Sequence, residues 1–354
     1  MVISRTPFRI SFFGGGTDYP NWYRRHGGCV LAATIDKYCY LTCRYLPPFF
    51  EHRFRVVYSK IELCQTVNQI AHPAVRAILE HLRVDRGVEV HYDGDLPGRS
   101  GMGSSSAFTV GLLHAIYALQ GQMVGKHRLA QESIHLEQDV LQETVGSQDQ
   151  VSAAYGGLNQ IFFLTNGDVT VRPVTLPRDR LCELNSQLML FYTGIKRTAS
   201  HIASSFAHDL DARARQLEAM KEMVDRSCEI LNGHGDLAVF GQMLHEAWQM
   251  KRSLSQQVSN DQVDEFYSAA LSAGAIGGKL LGAGGGGFLL LFVPLLQQKA
   301  VRQKLNHLLH VPFDFEFSGS HIVFFDEEAD YSEQEKARAT QPITAFRELF
   351  QPPG

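Results

Sequence analysis

Residues 97–107 read Pro97-Gly98-Arg99-Ser100-Gly101-Met102-Gly103-Ser104-Ser105-Ser106-Ala107, and a mostly apolar segment of helical length follows at once. Glycine lets a backbone approach an anion closely, so that several N–H groups can converge on it. A helix that starts directly behind such a loop adds unpaired N–H donors and the positive end of its dipole. Three successive serines exceed what one helix cap needs and leave hydroxyls to cap the helix or touch a cation. The stretch therefore reads as an anion-binding loop on a helix spanning about 104–119, the centre of an α/β chain. By itself the loop does not name the nucleotide.

Working outward, strands and helices alternate on both sides. Residues 2–12, 30–44 and 53–58 read as strands, with Pro47-Pro48 breaking the last two apart. A helical pattern covers 73–82, a short strand 88–92, and a second helix about 126–143. Segments 160–164 and 169–174 flank Asn166-Gly167, a hairpin signal. After a strand at 188–192 come long helical stretches, about 199–231 and 236–255, then a helix at 261–273. A strand at 288–293, a helix to about 309 and strands near 313–317 and 321–325 complete the pass. The change of character near Pro177-Arg178-Asp179, with a length of 354 residues, suggests two domains, 1–180 and 181–354. The tail after Asp326 reads as peripheral.

Composition excludes several classes. With 44% hydrophobic and 20% charged residues the chain can bury a sizeable core. A net charge of −4 gives no support for nucleic-acid binding, although an anionic substrate needs only a few placed cations. The six cysteines form no CxxC pair and no cluster with zinc spacing, and read as buried reduced thiols. The opening residues have no apolar signal-peptide core, and the apolar run at 288–296 is about half of what spans a bilayer. The expectation is a cytoplasmic enzyme, without membrane or nucleic-acid partners.

Two familiar nucleotide motifs are absent. Gly278-Lys279 is followed by Leu280 and lacks the upstream glycine of a P-loop. Gly282-Ala283-Gly284-Gly285-Gly286-Gly287 matches GxGxxG, but a strand follows where a dinucleotide site needs a helix. Glu137, on the second helix, and Asp149, twelve residues on, are an acidic pair that could serve phosphoryl transfer, although a helix glutamate taken alone is more often a solvated surface residue. One such carboxylate helps hold Mg²⁺ and another stands near the attacking hydroxyl.

Taken in order, three glycine-rich segments resemble the GHMP kinases, the family of galactokinase, homoserine kinase, mevalonate kinase and phosphomevalonate kinase. Thr6-Pro7-Phe8-Arg9-Ile10-Ser11-Phe12-Phe13-Gly14-Gly15-Gly16-Thr17-Asp18-Tyr19 is similar to the amino-terminal sugar-site motif of galactokinases. It departs at Gly15-Gly16, where those enzymes carry an acidic residue and a histidine, which weakens the case for galactose. Gly101-Met102-Gly103-Ser104-Ser105-Ser106-Ala107 resembles the family's GLGSSAA loop, and Gly277–Gly287 its carboxy-terminal glycine motif. Within the family, the phrases at 13–20, 35–38, 146–150, 192–197 and 277–284 are closest to D-glycero-D-manno-heptose 7-phosphate kinases, with the kinase domain of fucokinases next.

The resemblance implies a two-domain α/β (α+β) GHMP fold with the active site in the interdomain cleft. ATP would lie over Gly101, Met102, Gly103, Ser104, Ser105 and Ser106, with Gly284 and Gly285 approaching from the second domain. Ser105 and Glu137 would bind Mg²⁺. Asp149 would take the proton from the anomeric hydroxyl or orient it, with Arg9 beside it. Thr17, Asp18, Gly15 and Gly16 would meet the sugar, and Lys37, Lys196 and Arg197 are the candidates for holding a distal phosphate. The implied activity is phosphorylation of D-glycero-D-manno-heptose 7-phosphate at C1, giving the 1,7-bisphosphate on the way to a GDP-activated heptose for surface polysaccharide. A kinase for unphosphorylated fucose or galactose, and a catalytically silent sugar or ATP sensor, are the alternatives. A homodimer is the expected assembly.

Overall fold

The computed structural model describes residues 1–98, 100–195, 213–255 and 257–327, together with 331, 333, 334, 336 and 337. Among these residues two sheets organise the chain. The first has nine strands and the second four.

The first sheet is built around two long strands, β1 (Val2–Phe13) and β2 (Gly28–Tyr45), joined through the short helix α1 (Pro20–His26). β2 is long enough to serve two partners. Its first part pairs with β6 (Leu158–Phe163) and its last part with β5 (Val88–Gly94). β3 (Phe54–Val57), β4 (Ile61–Cys64) and β7 (Val169–Pro173) complete this side. Only β3 and β5 run parallel; the other described pairings are antiparallel, so the class is α+β.

Between β1 and β2 the register slips at Pro7/Phe8, where Pro7 faces Tyr38 and Phe8 faces Ile35. Asp36 and Lys37 are therefore pushed out of the ladder as a bulge. Beyond the bulge, β1 is buried along its whole length and delivers Arg9 to the interior opposite Thr34.

Helix α3 (Ser104–Leu119) is apolar all round and accordingly buried, against β1 and β2 on one side and α4 (Lys126–His135) and α5 (Gln148–Tyr155) on the other. α2 (Pro73–His81) flanks it. A helix was expected at about 126–143; instead α4 passes into one wide π turn, Leu136–Val140, and ends. Such turns shift side-chain direction and recur at functional sites.

The second sheet runs β11-β8-β10-β9, with β8 (Leu188–Tyr192), β9 (Gly277–Leu280), β10 (Phe288–Phe292) and β11 (Leu309–Val311). β10 is buried throughout. α6 (Arg178–Ser186) leads into this sheet, so the chain crosses over near the break read at 177–179. α7 (Ala214–Asn232), α8 (Ala238–Leu254), α9 (Asp261–Ser272) and α10 (Gln298–Lys304) belong to this half. Sheet membership does not follow a simple cut at 180, however. β12 (Phe315–Glu316) returns to pair with β2 and β13 (His321–Phe325) with β1, which ties the chain's end to its start. The larger apolar cluster draws on both halves, and within it Phe240 of α8 stacks edge-on against Phe12 and Phe13 of β1; a smaller cluster consists mostly of second-half residues, Phe191 and Trp248 among them.

The cysteines are free, but only four are buried; Cys182 is exposed, contrary to the reading of all six as core thiols. Among the described residues no helix is long and apolar enough to cross a membrane.

Candidate active site

One cavity gathers β1, the loop behind it, the start of α3, the start of α5 and the loop after β9. Arg9, Gly15, Gly16, Asp18, Ser104, Ser105, Ser106, Asp149, Lys251, Lys279 and Gly282 are among its lining residues. These positions are separated by up to 273 residues in the chain, and the register of β1 and the crossover to the second sheet bring them together.

At the floor of the cavity Arg9 and Asp149 form a fork. Nε donates to Oδ1 at 2.7 Å and Nη2 to Oδ2 at 2.8 Å, while Nη1 donates to the Gly101 carbonyl at 2.7 Å. The guanidinium is buried, with 4% of its side chain exposed, whereas the carboxylate keeps 24%. A bidentate pair of this kind fixes direction as well as charge. Asp149 stands in the first turn of α5, and its orientation is set before any substrate arrives. Gly103 closes the other side. It holds the N-cap of α3 with φ 71°, and a Cβ there would lie 3.2 Å from Arg9 Cγ and 3.3 Å from Asp149 Oδ2. A side chain at 103 would thus be strained and would press on the fork.

Helix α3 opens onto this cavity with Ser104, Ser105 and Ser106, and no side chain caps it. Behind it lies Glu137, 1% exposed, carried by the π turn. Its Oε2 accepts from Ser106 Oγ at 2.9 Å and from Gln150 Nε2 at 2.5 Å, but its Oε1 is buried with no hydrogen-bond partner. Burial pushes the carboxyl up to about 7; the nearby Thr109 hydroxyl and the hydrogen bond from Ser106 work the other way. A buried carboxylate oxygen without a partner fits a cation ligand. Among the described residues no cluster of three or more His, Cys, Asp or Glu side chains could hold a metal alone. A divalent ion here would need oxygens from a ligand as well, as Mg²⁺ with a nucleotide supplies.

Asp18 is buried beneath the glycine loop. Oδ1 accepts the Gly16 N–H at 2.8 Å and Oδ2 the Gln148 N–H at 3.3 Å. Burial raises its pKa, the Gly16 N–H opposes that, and the charge of Asp149 adds to the rise. Asp18 therefore clamps the glycine loop to the start of α5.

Several expected residues stand elsewhere. Thr17 is fully buried with its hydroxyl on the carbonyls of Gly14 and Cys29, so it shapes the loop and does not face the cavity. Lys37 sits in the β-bulge with its ammonium on Asp36 at 2.8 Å, and it does not line the cavity. Met102 is buried, its carbonyl accepting from Arg9 N at 3.1 Å. In the third glycine motif, Gly282 and Ala283 line the cavity rather than Gly284 and Gly285; Gly285 N instead donates to the Val258 carbonyl at 2.8 Å. Ser105 lines the cavity, yet the hydroxyl that reaches Glu137 belongs to Ser106. Lys196 and Arg197 lie outside the described residues.

Two cavity residues escaped the sequence reading. Lys279 stands inside the quoted third motif, where the glycines drew the attention; it is buried, and Nζ donates to the Phe12 carbonyl at 2.8 Å. Lys251 lies in the last turn of α8, which carries no glycine signal at all. Gln150, whose amide grips Glu137, is signalled only by its neighbourhood to Asp149.

The model of the GHMP kinases N-terminal domain matches residues 67–157 and that of the GHMP kinases C-terminal domain matches 217–310, between them more than half of the chain. A D-glycero-alpha-D-manno-heptose 7-phosphate kinase of Campylobacter jejuni is 27% identical over 337 residues, 88% of this chain and 96% of that protein. A galactokinase of Roseiflexus is 25% identical over 354 aligned residues, 87% of this chain and 88% of that one. The crystal structure of a D-glycero-D-manno-heptose 1-phosphate kinase from Bacteroides thetaiotaomicron superposes with a TM-score of 0.76 at 23% identity, over 92% of this chain and 100% of that one.

Proposed function

This chain belongs to the GHMP kinases, ATP-dependent phosphotransferases acting on a hydroxyl, and from that premise we propose that it phosphorylates the anomeric C1 hydroxyl of D-glycero-D-manno-heptose 7-phosphate. The product is the 1,7-bisphosphate, which supplies a GDP-activated heptose for surface polysaccharide. The observation that carries the kinase chemistry is the Arg9–Asp149 fork held against the N-terminus of α3. The substrate assignment rests on likeness to the heptose 7-phosphate kinase along nearly the whole length of both chains, and on a cavity rich in cations.

In this reading the triphosphate lies over Gly101–Ser106, where backbone N–H groups and the helix dipole meet its charge. Glu137, together with Ser105 or Ser106, would hold Mg²⁺, which would supply charge neutralisation at the phosphates. Asp149 accepts a hydrogen bond from the acceptor hydroxyl and either takes its proton or fixes its direction. Arg9 holds that carboxylate in place with two bonds and leaves it no freedom to rotate. Gly15 and Gly16 offer the sugar a backbone surface, with Asp18 beneath holding its shape. Lys196 and Arg197 follow Ile195, whose carbonyl accepts from Gly287 of the third glycine loop, and they hold the 7-phosphate.

ADP release measured over a panel of heptose 7-phosphate, mannose, fucose and galactose tests the assignment. Turnover confined to the heptose phosphate, with the new phosphate on C1, is the expected result. Turnover on an unphosphorylated hexose would move the substrate, and none on any sugar despite ATP binding would favour a sensor.

A further inference from the structure

We propose that Lys251 is a further catalytic residue, a cation brought by α8 into the cavity to donate a hydrogen bond to the phosphoryl group in transfer. The proposal rests on the phosphotransferase reading above and holds whichever sugar is the acceptor.

A lysine in the last turn of a helix ordinarily snorkels to water. Lys251 turns inward and is 8% exposed, lining the cavity with Arg9, Asp149, Asp18 and Lys279. Its ammonium donates to the carbonyls of Gly282 and, at 3.4 Å, of Leu280. Those bonds use two of three N–H donors, and one remains for a ligand. Gly282 in turn backs onto Gly101 so closely that a Cβ on either would collide with the other's backbone segment. The Gly101 carbonyl carries Arg9 Nη1, and Arg9 carries Asp149. A continuous path of contacts thus links Lys251 to the phosphate loop and to the residue that faces the acceptor hydroxyl.

Charge gives the second argument. Besides Tyr19, the ionisable side chains of the cavity wall are Arg9 on β1, Asp18 behind it, Asp149 on α5, Lys251 on α8 and Lys279 on β9, three basic groups against two carboxyls. Asp149 is already paired by Arg9. A buried ammonium without a carboxylate of its own is costly unless an anion joins it. Burial, and then the Arg9 charge, lower the Lys251 pKa to about 8, while Asp18 and Asp149 hold it up. Burial, and then the Lys251 charge, also push Lys279 well below its ordinary value.

In the step itself the acceptor oxygen bonds to the γ-phosphorus as the bond to the bridging oxygen breaks, and that electron pair leaves with ADP. The hydroxyl proton passes to Asp149 or to water. Lys251 transfers no proton; the hydrogen bond it donates strengthens as charge gathers on the phosphoryl oxygens.

The test uses the full chain with Lys251→Met and Lys251→Arg, and Arg252→Ala as a control. Arg252 pairs with Asp264 at 2.5 Å and faces away from the chemistry. On whichever sugar the wild type turns over, Lys251→Met should lower kcat by roughly 10²–10³-fold with sugar KM within about threefold, and Lys251→Arg should recover part of the loss. The alkaline limb of the wild-type kcat/KM profile for MgATP, which reports the free enzyme, should fall near pH 8 and move to higher pH in Lys251→Arg. Binding of MgADP with aluminium fluoride, a mimic of the group in transfer, should weaken at least tenfold in Lys251→Met while MgADP alone is unchanged. A kcat within threefold of wild type, a loss expressed only in sugar KM, or an unmoved alkaline limb would overturn the role. Should the wild type turn over no sugar, the kinase assignment falls, and the aluminium fluoride comparison still decides Lys251: equal affinity in both proteins refutes it.

Discussion

Replacing Glu137 by Gln tests the cation site through stability, without any need for substrate. The carboxyl is 1% exposed, one oxygen is held by Ser106 and Gln150, and the other has no partner. Burial lifts its pKa from the ordinary 4.5 to about 7. Between those values the folded chain keeps a proton that the unfolded chain has released. Stability therefore falls as pH rises through that window and stays low above it. The gap amounts to about 3 kcal/mol at pH 8. Glutamine carries no ionisable proton, and its oxygen can still accept from Ser106 and Gln150. Its amide nitrogen then stands where Oε1 has no partner, which costs about 1 kcal/mol. The variant should be more stable than wild type by about 2 kcal/mol at pH 8, less stable by about 1 kcal/mol near pH 4.5, and equal to it between about pH 5 and 6. With an unfolding entropy of about 2.1 cal/mol/K per residue, the gain at pH 8 is about 3 °C in Tm. Thermal melts of both proteins from pH 4.5 to 8.5, without and with MgATP, measure it. MgATP should raise the wild-type Tm and leave the variant nearly unmoved, and the variant should lose turnover. A difference in Tm that is constant across the pH range would refute the reasoning.

Asp149→Asn should lower kcat by about 10²–10⁴-fold while ATP binding, followed by calorimetry, is retained. Near-normal turnover would remove Asp149 from the mechanism. Gly103→Ala places a methyl in a left-handed backbone against the fork, so about 1–2 kcal/mol of stability and at least tenfold in kcat should go together, read by denaturation and steady-state kinetics. Lys37→Ala should leave the KM for the sugar phosphate unchanged, because its ammonium is on Asp36, whereas Arg197→Ala should raise it about tenfold or more.

Much of the secondary structure was legible because its causes are local. The helix at 104–119 coincides with α3, since the glycine loop fixes its start and an unbroken apolar run its length. The hairpin around Asn166-Gly167 forms as its turn residues dictate. Short elements were missed where local signals are weak. α1 begins at a proline, α5 follows a glycine and serine, and β9 reads as part of a glycine-rich loop. β9 is a strand because β10 offers it a ladder, which no window of sequence can show.

At the site, the sequence by itself pointed to the anion loop, because a glycine run before a helix states its purpose locally, whereas Arg9, Glu137 and Asp149 drew their meaning from the ordered set of motifs and the family it resembles. What tertiary structure decided is which groups meet. The bulge at Pro7/Phe8 carries Lys37 away from the cavity, and a π turn lays Glu137 against Ser106. The packing of α8 and β9 brings Lys251 and Lys279 to the side of Arg9. A lysine in an amphipathic helix looks the same in sequence whether it faces water or a buried anion site. Only the fold sets the burial and the neighbouring charges that make the difference.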